Sequence, residues 1–130
     1  MDFEKVKTIA VVGLSDKKEK ASFRVAEYLQ QNGFRIIPVN PTVGSILGED
    51  CYGELKDISD TIMVDVVDIF RKSEAVPAIV QQAVDRGNIK TIWMQEGIIN
   101  QEAADAAEKA GMEVIMDKCI LKEHQNLKCK

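Results

Sequence analysis

Apolar residues in this chain gather into short runs separated by longer amphipathic segments. The runs lie at 8–12, 34–39, 61–70, 90–94 and 113–116, and most are rich in Val and Ile. Apolar runs of this length are typical of strands that are buried on both faces of a sheet. We therefore predict five strands at these positions.

Between the strands, apolar residues recur at the three- and four-residue spacing of a helix. Three segments show it, at 21–32, 73–86 and 100–110, and a glycine that favours helix termination follows each one. Ser73 and Asn100 begin the second and third segments, and both residue types cap helix amino-termini. We therefore predict three helices that start and stop at these residues.

The order of the elements predicts the fold class. Strands alternate with helices, apart from a loop at 41–60 and a tail after residue 117 that we expect to be partly helical. This order indicates an α/β fold: a single Rossmann-like domain over 1–130, with a five-stranded, mainly parallel sheet and helices on both faces. Ligands of such sheets bind beyond the carboxyl ends of the strands. That rule selects the loops after Val12, Val39, Val67 and Met94.

Composition narrows the class of protein. With 45% hydrophobic residues among 130, the chain can bury a sizeable core. No apolar run approaches the length of about 18 residues that suggests a membrane span, and the charged amino-terminus is unlike a signal peptide. The net charge of -4 argues against general nucleic-acid binding, and three scattered cysteines are typical of a reducing compartment. We expect a cytoplasmic protein that binds neither membrane nor nucleic acid, with a homodimer or a protein partner left open.

The loop after the first predicted strand has features of an anion site. Gly13 allows a sharp turn and a close approach by a ligand, and Ser15 and Ser22 add hydroxyl groups. The next helix begins with unpaired N–H groups, which attract anions. Four basic residues surround this start: Lys17, Lys18, Lys20 and Arg24. The alternative is a solvated helix start after an ordinary strand-to-helix turn.

The second loop differs from that of an NAD-binding fold. The fingerprint glycines are missing, because positions 15 and 18 hold Ser and Lys. The strand ends in Pro38, Val39 and Asn40, without the carboxylate that usually holds the ribose hydroxyls. A phosphorylated ribose, as in NADP or coenzyme A, is therefore tolerable. The alternative is that this proline-flanked exit is merely rigid.

The third and fourth loops add further candidates. In the third, either Phe70 lines an adenine and Arg71 reaches a phosphate, or Phe70 covers the sheet edge and Arg71 pairs with Asp68. The fourth loop offers polar groups and a glycine that a ligand can approach: Gln95, Glu96 and Gly97.

Catalytic groups are sparse. Cys119 and His124 are the one plausible Cys/His pair, but a five-residue spacing places them on different faces of a helix. With Cys129 near the chain end they make no structural zinc site, so we expect neither a metal nor catalysis. Cys119 then fills the core, and His124 either lies at a helix terminus or makes a hydrogen bond. Asp65, inside an apolar run, needs hydrogen-bond partners from a loop or a helix start if it is buried.

Six stretches together resemble a known family. They are VVGLS at 11–15, KASFRVA at 20–26, PVNP at 38–41, VDIFR at 67–71, WMQEGIIN at 93–100 and MDKCILKEH at 116–124. In this order, and over nearly the whole chain, they resemble the small CoA-binding proteins, which are Rossmann-like domains similar to the CoA-binding domain of the succinyl-CoA synthetase alpha subunit. The resemblance implies a CoA site at Gly13, Leu14 and Ser15, at 38–40, at 68–71 and at 95–97.

The resemblance implies binding of coenzyme A or an acyl-CoA without catalysis. The pyrophosphate is expected on the Gly13–Ser15 amides, the adenine near Val39 and Phe70, and the 3′-phosphate beside the basic residues. The chain departs from the family at Lys20-Ala21-Ser22, where Arg-Pro-Ser or Lys-Pro-Ser is common, and at Glu96, where an apolar residue is frequent. The synthetase's phosphorylated histidine lies on a later domain that we do not expect here, so we do not expect this chain to carry out acyl-CoA ligation alone.

Two other functions stay open. One is an NADP-dependent reductase or a nucleotide sensor, which predicts a nicotinamide pocket and a proton donor such as a tyrosine near a lysine. Tyr52 and Lys56 have a suitable spacing but lie in a glycine-broken loop. The other is an interaction module without a small ligand, related to acyl-CoA ligases.

Overall fold

The computed structural model describes residues 1–128 and contains one five-stranded sheet and a small ribbon. The strands are β1 (Thr8–Val12), β2 (Arg35–Val39), β3 (Ser45–Ile46), β4 (Glu49–Asp50), β5 (Val66–Ile69), β6 (Thr91–Met94) and β7 (Glu113–Ile115). The helices are α1 (Ala21–Gln31), α2 (Val76–Arg86), α3 (Gln101–Lys109) and α4 (Ile120–Lys128). Short 3-10 turns lie at Phe3–Lys5, Leu55–Asp57 and Ser73–Ala75.

The main sheet is parallel throughout and has the order β2-β1-β5-β6-β7. The connection from β1 to β2 runs through α1 on one face of the sheet. The connection from β2 to β5 packs Leu55, Ile58 and Val64 against the opposite face. In this strand order β2 lies on one side of β1, and β6 lies on the opposite side of β5. The chain therefore leaves β1 and β5 in opposite directions. This creates a switch point between their carboxyl ends, where sheets of this kind bind ligands.

Helices cover both faces of the sheet. Ile9 and Val11 of β1 belong to a core cluster with α1 and the start of α4, and we call this side the α1/α4 face. Ala10 and Val12 belong to a second cluster with α2 and α3, on the α2/α3 face. Successive strand side chains point to opposite faces, so a uniformly apolar β1 feeds both cores. The predicted α/β fold is confirmed.

Four predicted strands agree with the structure to within one residue at each end, but the third does not. It was predicted over 61–70 and begins only at Val66. The guanidinium of Arg86 donates to the carbonyl oxygens of Ile58, Ser59 and Ile62 at 2.6–2.7 Å. These carbonyls therefore bind a side chain rather than a neighbouring strand, and the segment before Val66 is a loop.

The predicted helix starts are partly right. The Asn100 side chain accepts the N–H of Ala103 at 2.9 Å, so Asn100 caps α3 as predicted. Ser73 does not cap α2, because it lies in a 3-10 turn and its hydroxyl accepts the N–H of Ile99 at 3.0 Å. Ser73 thus joins the start of α2 to the loop before α3. The predicted helix in the tail is present as α4.

The loop predicted at 41–60 holds more structure than its glycines suggest. The β3 and β4 strands pair antiparallel, and Tyr52 then extends the outer edge of β2. Its N–H donates to the Pro38 carbonyl at 3.0 Å, and the Asn40 N–H donates to the Tyr52 carbonyl at 2.8 Å. Leu55, which is 2% exposed, anchors the following turn in the core of the α2/α3 face. This arrangement places residues 53–57 above the carboxyl ends of β1 and β2.

Candidate ligand-binding cleft

A cleft of about 550 Å³ opens on the α2/α3 face at the switch point. Its floor contains Val12 and Val39, the last residues of β1 and β2. The first turns of α2 form one side, and the segment 53–57, which we call the cleft wall, forms the other. A concave, mainly apolar cleft of this volume with a few polar groups is typical of a small-molecule site.

Gly13 lies where the loop after β5 crosses the end of β1. Its φ is +86°, and a Cβ there would lie 2.5 Å from the Phe70 carbonyl oxygen and 2.9 Å from Cδ of Arg71. The Gly13 N–H donates to the Val39 carbonyl at 3.0 Å. The glycine is therefore required by contact between protein segments, and it locks together the exits of β1, β2 and β5.

The amides of the first loop are largely engaged within the protein. The Ser15 N–H donates to the buried Ser22 hydroxyl at 3.0 Å. The Gly13 N–H is also engaged, by the Val39 carbonyl. Leu14 is fully buried in the core of the α1/α4 face. The N–H groups of Leu14, Ala21, Ser22 and Phe23 have no acceptor among residues 1–128, and Lys20 supplies no side-chain cap. The amides available to an anion are thus that of Leu14 and those that begin α1, whereas the Gly13 and Ser15 amides are engaged.

The basic residues predicted for the site divide into two groups. Arg71 lines the cleft, is exposed, and has no acidic group within 4.0 Å in the part of the chain that the structure describes. The others lie at the start of α1, on the opposite face, and are also exposed: Lys17, Lys18, Lys20 and Arg24. The guanidinium of Arg24 donates to the Glu19 carbonyl at 2.5 Å. Only Arg71 is placed to contact a group inside the cleft.

Asp68 does not pair with Arg71. It lies in the sheet between Val11 and Trp93, is fully buried, and has no hydrogen-bond partner for either carboxyl oxygen within the described chain. Desolvation by burial raises the pKa of Asp68 well above its ordinary value of 3.8. Of the two alternatives for this loop, the one that pairs Arg71 with Asp68 is wrong, because alternation along β5 turns Asp68 into the α1/α4 face while Arg71 lines the cleft on the other.

Phe70 also packs against the core of the α1/α4 face, whereas Val39 belongs to the α2/α3 face. The structure therefore does not bring these two side chains together around one adenine. Pro38 is buried, and Asn40 connects the two strand exits by donating to the Leu14 carbonyl at 2.9 Å and accepting the Thr42 N–H at 2.8 Å. Of the candidates at the end of β2, only Val39 lines the cleft.

The turn at 95–97 is joined to the segment before α4. The Gln95 side chain accepts the first N–H of α4 at 3.2 Å, and the Gly97 N–H donates to the Asp117 carboxylate at 2.7 Å. Glu96 pairs with Lys122 at 3.0 Å and raises the pKa of that lysine. The turn stands at the carboxyl end of β6 and does not line the cleft.

Sequence reasoning missed the polar part of the cleft wall. Glu54 and Asp57 line the cleft, and the Glu54 N–H donates to the Asp57 carboxylate at 3.0 Å. Gln82 of α2 holds the wall by donating to the Glu54 carboxylate at 3.2 Å and accepting the Lys56 N–H at 3.1 Å. The two acids are three residues apart, which is the spacing of a capping box. This spacing was the one feature of the sequence that could have predicted the wall.

The residues considered for catalysis have structural contacts. His124 Nδ1 and the Tyr28 hydroxyl lie 2.6 Å apart, which confirms the predicted hydrogen bond of His124. Cys119 is half-buried against the core of the α1/α4 face, while Cys129 lies outside the described residues. Asp65 accepts the N–H groups of Lys7 and Thr8 at 2.9 and 3.0 Å. A loop partner was predicted and Lys7 confirms it, whereas Thr8 is already the first residue of β1.

Two further findings concern residues 1–128 as a whole. No cluster of three or more His, Cys, Asp or Glu side chains there is arranged to hold a metal ion. None of the helices in that range has the length and apolarity needed to cross a membrane.

The family model described as a CoA binding domain matches residues 7–125. The chain belongs to this CoA-binding family. It is 39% identical over 121 residues to the uncharacterized protein YneT of Bacillus subtilis, covering 93% of this chain and 87% of YneT. A solved structure of a hypothetical protein from Pyrococcus horikoshii superposes with a TM-score of 0.91 at 35% identity, covering 96% of this chain and 86% of that one.

A relationship to acyl-CoA ligases is also present. Over 104 residues the chain is 33% identical to acetate–CoA ligase (ADP-forming) II of Archaeoglobus fulgidus. The match covers 78% of this chain but only 15% of the ligase. The family resemblance inferred from the sequence is therefore confirmed, and the similarity to the ligase concerns one small part of that enzyme.

Proposed function

We propose that this protein binds coenzyme A or an acyl-CoA at the carboxyl edge of its sheet, without catalysis of its own. The observation that carries the proposal is the apolar cleft at the switch point between β1 and β5, in a chain of the CoA-binding family. Sheets of this fold bind ligands at the carboxyl ends of their strands, and the cleft of this CoA-binding family member lies at that edge.

The adenosine part of the ligand fits the cleft. Val12, Val39 and Ile79 offer apolar surface to a purine ring. Arg71 stands at the mouth of the cleft beside Gly13 with its guanidinium unpaired within residues 1–128. A planar guanidinium can hold a phosphate through two parallel hydrogen bonds, so Arg71 is assigned to a phosphate attached to that adenosine.

The remaining phosphates have a second attraction point across the Gly13 crossing. The first turn of α1 offers unpaired N–H groups and the positive end of a helix dipole. Lys17, Lys20 and Arg24 add positive charge at the same place. Coenzyme A carries a diphosphate and a separate 3′-phosphate, so it can reach both points. Its pantetheine arm is then assigned to the strand ends leading towards the 95–97 turn.

The cleft lining suits recognition of the adenosine. The polar side chains that line it within the described chain are two carboxylates, one guanidinium and one amide, from Glu54, Asp57, Arg71 and Gln82. These groups recognise a ligand through hydrogen bonds and charge. The proposed role of the cleft is therefore to hold the ligand.

Titration calorimetry tests this function with four ligands: coenzyme A, dephospho-CoA, NADP and NAD. We expect coenzyme A to bind more tightly than the other three. Arg71→Ala is expected to weaken its binding at least about tenfold, the effect of losing a charge-assisted contact. Arg35→Ala, at the opposite end of the sheet, is the matched control.

Each other outcome contradicts a stated part of this proposal. Equal affinities for coenzyme A and dephospho-CoA would remove the 3′-phosphate role of the basic residues. Binding of NADP but not coenzyme A would favour a reductase or sensor. No binding of any of these ligands would favour the interaction module.

A further inference from the structure

The polar groups of the cleft are segregated by charge. The cleft wall contributes the carboxylates of Glu54 and Asp57, and the crossing at Gly13 contributes the guanidinium of Arg71. No ion pair within 4.0 Å joins Arg71 to either carboxylate in the described chain. The cleft therefore keeps an acidic side and a basic side that do not neutralise each other. Its lining complements a molecule with a hydrogen-bond donor at one end and an anion at the other.

One carboxyl oxygen on the acidic side is free. Both oxygens of Glu54 are engaged, one by the Gln82 amide at 3.2 Å and one by the Lys56 ammonium at 3.4 Å. Oδ2 of Asp57 accepts the Glu54 N–H at 3.0 Å, whereas Oδ1 has no hydrogen bond within residues 1–128. The bond to Oδ2 fixes the carboxylate on the wall, so Oδ1 is a preorganised acceptor at the edge of the cleft.

We propose that Asp57 determines base specificity by accepting a hydrogen bond from the exocyclic amino group of a 6-aminopurine. This inference rests on the proposed function. It adds that the cleft recognises the exocyclic amino group of the base. An ionised carboxylate can only accept hydrogen bonds. A 6-oxopurine presents a carbonyl oxygen at that position, which leaves two acceptors facing each other without a proton. Asp57 is exposed in the free protein. A base that covers its carboxylate without donating a hydrogen bond therefore removes water from it and costs affinity.

The test compares coenzyme A with deamino-CoA, in which hypoxanthine replaces adenine, by titration calorimetry on the full chain. Wild-type protein is expected to bind coenzyme A at least about tenfold more tightly. In Asp57→Asn the amide oxygen can still accept the Glu54 N–H, while the amide nitrogen offers a donor to the cleft. This variant should lose the preference for coenzyme A and gain affinity for deamino-CoA. Asp50→Asn, an exposed acid on β4 away from the cleft, should keep the wild-type ratio.

Three results would overturn the inference. Equal binding of the two ligands by wild-type protein would remove it while leaving CoA binding intact. An equal loss of both ligands in Asp57→Asn would show that Asp57 only supports the wall. Binding of neither ligand by wild-type protein would overturn the proposed function, and the specificity with it.

Discussion

The carboxyl group buried in the middle of the sheet has a measurable consequence for stability. Asp68 has no hydrogen-bond partner within the described chain, and its burial raises its pKa well above 3.8. The folded chain therefore retains a proton that the unfolded chain releases. Asn matches the shape of the protonated acid and does not ionise, so Asp68→Asn isolates the cost of this titration.

Proton linkage sets the sign and the slope of the effect. At pH values below 3.8 the carboxyl group is protonated in both states, and it adds no pH dependence. Above that value the unfolded chain ionises first. The free energy of unfolding then falls by about 1.4 kcal/mol per pH unit until the pH reaches the folded pKa. Above the folded pKa the loss is constant. Asp68→Asn removes this loss, so its advantage over wild type grows with pH within that window.

Urea denaturation of both proteins at intervals between about pH 4 and about pH 8 measures this difference directly. Taking the variant minus wild type at each pH cancels the titration of all other groups that the substitution leaves unchanged. Asp50→Asn, which alters an exposed acid on β4, should give a difference near zero throughout. A difference for Asp68→Asn that stays flat over this range would refute the conclusion that Asp68 is neutral in the folded protein.

Two further predictions concern the loops that shape the cleft. Gly13→Ala should lower the free energy of unfolding by at least about 2 kcal/mol in thermal or urea melts, because its Cβ would lie 2.5 Å from the Phe70 carbonyl oxygen at a φ of +86°. Gly44→Ala is the control, because a Cβ at that position would have open space around it. Equal losses of unfolding free energy in the two variants would contradict the close contact between Gly13 and the Phe70–Arg71 loop. Arg86→Met should cost about 2–4 kcal/mol and speed proteolysis within residues 58–63, because three carbonyl oxygens lose a charged donor. An unchanged urea midpoint and cleavage rate would show that this clamp is dispensable.

The strands were predictable because a strand of a parallel sheet that is buried on both faces has an uninterrupted apolar run in its sequence. All five residues of β1 are buried, so its apolar run coincides with the strand itself. The third run misled because burial alone does not make a strand. Val64 is 1% exposed and lies in the core, but it belongs to the loop whose carbonyls Arg86 binds. The distant arginine that satisfies these carbonyls is not apparent from the local pattern.

The cleft was predictable only where strand ends form it. Gly13, Val39 and Arg71 follow from the rule that ligands bind beyond the carboxyl ends of parallel strands, and all three line the cleft. The acidic wall was missed because a hydrogen bond between residues 28 positions apart, Glu54 and Gln82, holds it in place. Long-range contacts of this kind leave no periodic signal in a single sequence.

The carboxyl edge of this sheet carries its charges on two faces, and the crossing at Gly13 separates them. A compact nucleotide in the cleft meets one cation, Arg71, and two carboxylates on the wall. The lysines at the start of α1 lie beyond the crossing, so a ligand gains from them only if it is long enough to pass over the Phe70–Arg71 loop. Attraction that depends on ligand length in this way favours an extended, multiply phosphorylated molecule over a mononucleotide. The division of charge between the faces thus supports the proposed class of ligand, an extended and multiply phosphorylated nucleotide.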